Sequence, residues 1–126
     1  MILRLLSIFL VSILLPYVGF PQDRLDSVSN SGLSDIESYE LQIMNLESAY
    51  GPMDQRLVEP LEGLISRLIE FGRIDQVAEL QEKQLAVMRA NLGFESLDLL
   101  PVLRGMIQVQ QALGNWEATS DILDHI

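Results

Sequence analysis

Cysteine is absent from this chain, which excludes disulfides, thiol catalysis, thiolate zinc sites and a lipidated N-terminal cysteine. Histidine occurs once, at His125, one residue from the C-terminus. Asp121 and Asp124 stand near it as conceivable metal ligands or relay partners, but a terminal turn frays and lacks the surrounding hydrogen bonds such a site needs. His125 is therefore read as a surface residue, with no metal and no cofactor expected. Serines are plentiful, yet no second imidazole and no suitably placed lysine is there to activate one. Glycines stand singly, with no phosphate-cradling loop among them. Basic residues are scarce too, 8 against 18 acidic ones, for a formal net charge of −10. That balance repels phosphate and offers no basic footprint for displacing counterions, so nucleic-acid binding is excluded. The expectation is a protein that is not an enzyme.

What the chain does have is apolar residues, at 48% of its 126 positions, distributed in two different ways. Residues 1–20 form one dense run. Arg4 is its only charge, and the apolar stretch of residues 5–15 has the length of an export signal and is shorter than the ~20 residues that span a bilayer. Pro16 breaks it, and Gly19 suits a cut, although Tyr17 is bulkier than a signal peptidase prefers. Residues 1–20 are read as a signal peptide or an uncleaved N-terminal anchor helix. Both readings place the folded part outside the cytoplasm: exported, periplasmic or secreted, or anchored to a membrane by residues 1–20. All 18 acidic residues lie beyond this run. Residues 21–34, rich in Ser, Asp and Asn, read as a flexible linker, with Ser34 or Asp35 as N-cap of the first helix.

Beyond the linker the chain matches itself when shifted by 42 positions. Gly51 falls on Gly93, Gly63 on Gly105 and Gly72 on Gly114. Leu57 falls on Leu99, Leu61 on Leu103, Ile65 on Ile107, and conservative pairs such as Leu64 with Met106 and Ile74 with Trp116 fill the gaps. Within this register apolar residues recur at three- and four-residue steps, as in Leu57, Leu61, Leu64, Leu68 and Phe71, the signature of amphipathic helices. The spacing predicts five helices, over about 35–50, 55–71, 74–91, 97–113 and 116–126, joined at Gly72 and Gly114 by turns too short for anything but antiparallel neighbours. Residues 35–126 then form one repeat domain whose last repeat is truncated, since residues 120–126 cover only the start of a second helix. That leaves Ile122, Leu123 and Ile126 open.

The turn sequences Phe71-Gly72-Arg73-Ile74 and Leu113-Gly114-Asn115-Trp116 resemble the turn between the two helices of a tetratricopeptide repeat. The 42-residue period, with Leu92-Gly93 and a short acidic link after the second helix, resembles the longer kinesin-light-chain type, over residues 36–126. Val77 and Thr119 stand where that family has a small residue, and Ile65 and Ile107 where it has glycine. The resemblance implies an all-α fold, a short α-solenoid of antiparallel helix hairpins behind the N-terminal signal or anchor helix. It also implies a role as a protein-binding adaptor or scaffold, with the first helix of each hairpin lining a concave groove. On that pattern Glu59, Glu62, Ser66, Ile69 and Glu70 from one cycle, and Arg104, Gln108, Gln111 and Ala112 from the next, line the groove. They would hold an extended peptide or a helix of a protein partner, the acids favouring a basic one. Phe71 and Trp116 read as packing residues at the hairpin turns. An assembly role, in which the exposed terminal hairpin pairs with itself or a neighbouring subunit, stands as the alternative.

Overall fold

The computed structural model describes residues 22–124 and 126, with side chains from residue 31 onward; residues 1–20 and His125, with the expectations attached to them, lie outside the described residues. Among these the chain is all-helical, without strands. Helix α1 spans Gln22–Tyr50, α2 Val58–Glu70, α3 Ile74–Leu92, α4 Leu100–Ala112 and α5 Trp116–Leu123. Single 3-10 turns, Gln55–Leu57 and Leu97–Leu99, lead into α2 and α4.

These elements recur at the interval read from the sequence. Each 3-10 turn starts under a side-chain cap, Asp54 accepting from the Arg56 amide and Ser96 from the Asp98 amide, 42 residues apart. Helices α2 and α4 are both 13 residues long and begin 42 residues apart. Both end the same way. The Gly72 amide donates to the Ile69 carbonyl and the Arg73 amide to that of Leu68, while Gly114 and Asn115 repeat this onto Gln111 and Gln110. This reciprocal pattern satisfies the last free carbonyls only if the residue after the helix turns left-handed. Gly72 and Gly114 do so, with φ of 69° and 73°.

Each helix packs on its sequence neighbours: α2 lies between α1 and α3, and α4 between α3 and α5. One core cluster joins Ile36 and Ile43 of α1 to Leu57, Leu61, Leu64 and Leu68, then to Val77 and Val87 of α3. The second joins Leu85 and Met88 of α3 to Leu99, Leu103 and Met106, so that Leu57, Leu61 and Leu64 find their counterparts one interval on. Leu57 and Leu61 are fully buried, each contributing about 1.5–3 kcal/mol.

Two further contacts fix the α1–α2 crossing. Gly63 lies directly beneath the ring of Tyr39, and Arg67 reaches from α2 to Asp35 of α1 at 3.1 Å while also donating to Glu70 at 2.8 Å. The Glu70 hydrogen bond and charge, then the Asp35 charge, hold the Arg67 guanidinium still further in its protonated form.

Three features differ from the sequence reading. The stretch 21–34, read as a linker, is helical from Gln22 onward, so Ser34 and Asp35 lie inside α1 rather than capping it. No proline interrupts residues 22–34, extending an existing helix costs far less than nucleating one, and buried Gly32 packs beneath the Phe71 ring. Helix α5 ends at Leu123. Trp116, expected to pack at its turn, is 68% exposed, because α5 meets only α4, whereas α3, which carries the counterpart Ile74, is covered on two sides.

Candidate functional site

On α2 the residues Glu59, Glu62, Ser66, Ile69 and Glu70 follow three- and four-residue steps along one exposed face. Arg104, Gln108, Gln111 and Ala112 do the same on α4, and all are exposed. Among the described residues no ion pair joins the two rows; the one they contain runs within α2, from Glu70 to Arg67. Glu59 and Glu62 border a cleft of about 250 Å³ whose other wall is Met88, Asn91 and Leu92 of α3. Asn91 stiffens that wall. Its amide donates to the Met53 carbonyl at 2.8 Å and to the Val87 carbonyl at 2.7 Å, tying α3 to the loop after α1. Arg56 at the rim stacks on the Tyr50 ring, 3.9 Å from its centroid. Ser66, Ile69, Glu70 and the α4 row do not border this cleft.

The opposite arrangement was not anticipated. Between α1 and α3, over a floor of Leu64 and Leu68, lies an open cleft of about 430 Å³. A second, about 280 Å³, lies between α3 and α5 over Leu103 and Met106. They are the same cleft built twice. Glu40, Ile43, Glu47, Leu64, Glu79 and Leu80 line the first, and Glu82, Leu85, Arg89, Met106, Asp121 and Ile122, each 42 residues later, line the second. An ion pair from Lys83 of α3 to Glu47 of α1 crosses the first cleft. In the second, Arg89 replaces that glutamate and rests over the Phe94 ring, 5.3 Å from its centroid.

Polar side chains stand over apolar floors, and among the described residues no group of three or more His, Asp or Glu is gathered closely enough to hold a metal. No described helix is long and apolar enough to cross a membrane. The clefts between alternate helices escape sequence reading because their walls come from helices a full interval apart. The recurrence of Glu40 at Glu82 and of Glu79 at Asp121 was the signal for them. No protein-family model, curated protein or solved structure matches the chain. The described residues thus define an all-α fold of five helices packed in chain order.

Proposed function

We propose that this chain is a protein-binding adaptor, a short solenoid of tetratricopeptide-like hairpins that is exported and presents the exposed rows of α2 and α4 to a segment of another protein. The observation that carries the reading is the recurrence of caps, turns and helix lengths at 42 residues, because serial copies of one hairpin create extended surfaces for other chains. Glu59, Glu62, Ser66, Ile69 and Glu70, with Arg104, Gln108 and Gln111, form the contact surface. The cleft beside Glu62 takes an apolar side chain, and the carboxylates favour a basic neighbour.

Selection of displayed peptides on the purified chain tests this. Replacing Glu62 and Arg104 by alanine should weaken capture of the selected peptides and leave the far-ultraviolet helical signal unchanged. Capture indifferent to both substitutions would remove the α2–α4 surface from consideration. A second reading has its own observation: Leu113, Trp116, Leu123 and Ile126 leave an apolar surface around the last hairpin. On that reading the hairpin pairs with a like subunit, and sedimentation would show mass rising with concentration; a monomer at every concentration would eliminate it.

A further inference from the structure

We propose that the face formed by α1, α3 and α5 is a separate docking surface for a basic segment of another protein, with one apolar anchor entering each of the two repeated clefts. This does not rest on the α2–α4 surface described above and uses none of its residues.

Charge identifies the occupant. Glu40 and Glu79 flank the first cleft with no ion pair among the described residues, while Glu47 is matched by Lys83. Glu82 and Asp121 flank the second, with Arg89 as the one base in its lining. Both therefore place an apolar floor under an acidic rim, the complement of leucine-like anchors flanked by lysine or arginine. A second copy of this chain, at net charge −10, would bring acid against acid. Residues 1–20 contain the single base Arg4 and cannot answer the rim.

Size fits the same occupant. The first cleft, about 430 Å³, lies in the lower part of the ~300–1,000 Å³ range typical of small-molecule pockets and the second, about 280 Å³, just below it, so each has room for an apolar side chain of a peptide. Repetition then adds avidity, since an anchor held in one cleft raises the local concentration of the next. The first cleft is the more acidic, so the more basic end of the segment belongs there.

A synthetic amphipathic peptide of leucine and lysine carrying two leucine anchors, titrated into the full chain and followed by fluorescence anisotropy, provides the test. The variant E40Q/E79Q should weaken binding about tenfold and E82Q/D121N roughly threefold, with the difference shrinking as salt screens the rims. The variant E95Q/D98N removes the same charge at exposed positions that border neither cleft and belong to neither proposed surface, and should change affinity less than about twofold. A peptide with one anchor should lose its sensitivity to E82Q/D121N, and the two-anchor peptide should shift the methyl resonances of Leu64 and Met106. Equal weakening by E95Q/D98N would reduce the effect to diffuse charge attraction and overturn the proposal. So would unmoved methyl resonances, methyl shifts produced by protein concentration alone, or contacts from those methyls to residues 1–20. Failure of the Glu62 and Arg104 substitutions in the peptide selection would leave this outcome untouched.

Discussion

Gly63 and Gly105 occupy corresponding places in α2 and α4 but face different neighbours, and the difference sets opposite costs for the same substitution. A Cβ on Gly63 would sit 2.5 Å from Tyr39 ring carbons, so the half-buried ring would have to shift as a rigid body. A Cβ on Gly105 would meet only the amide end of Gln81, the counterpart of Tyr39, at 3.1 Å. Gly63→Ala should therefore cost about 1–3 kcal/mol through overpacking. Gly105→Ala should be near neutral or should stabilise by up to about 1 kcal/mol as the helix loses a glycine. Urea unfolding of the two variants decides this, and equal losses would mean that Gln81 is as immobile as Tyr39. Gln81 carries a second consequence. Its Oε1 is buried without a hydrogen-bond partner, so Gln81→Met, which keeps the length and removes the acceptor, should raise stability by about 1 kcal/mol in the same assay.

Among the elements, α3 and α5 begin in equivalent places with unequal caps. The Asn115 side chain accepts from the Ala118 amide at 3.3 Å, whereas Arg73 makes no side-chain cap bond, although both residues precede their helices in similar backbone conformations. Arg73→Asn should install the missing acceptor and add about 1 kcal/mol; Asn115→Ala should remove a similar amount, seen as faster hydrogen exchange in α5. An Arg73→Asn variant with unchanged stability would show that the α3 entry already satisfies its amides by other means. This scale also shows why some elements were legible in the sequence and others were not. Gly72 and Gly114 announce themselves because a left-handed residue between apolar stripes leaves few alternatives to glycine. The start of α1 gave no such sign. Ser27, Ser29, Asn30 and Ser31 read as linker chemistry, and what anchors them, the Phe71 ring over Gly32, lies at the far end of α2. The candidate surface divides along the same line. Glu59 and Glu62 follow from periodicity within one helix, while the clefts over Leu64 and Met106 depend on α1, α3 and α5 lying side by side, which no local pattern encodes.

Across the described residues, stability should be graded rather than uniform, because close helix–helix packing runs between sequence neighbours, with few side-chain links beyond them. The two core clusters meet at α3 and at Val58, and each has its own outer wall: Leu61 and Leu64 depend on Ile36 and Ile43 of α1, while Leu103 and Met106 are closed on one side by Ile122 of α5. Ending the chain after Gly114 should uncover the second cluster and leave the first nearly intact. Native-state hydrogen exchange on that variant should show protection falling through α4, most strongly near Leu103 and Met106, with α2 amides near Leu61 and Leu64 changing little. The coupling runs mainly through α3, whose Val77 and Val87 face the first cluster while Leu85 and Met88 face the second, with Val109 of α4 in the first cluster and Val58 of α2 packed against both. An equal loss of protection in α2 and α4 would mean that α3 transmits the damage in full, so that the five helices unfold as one unit and the serial description fails.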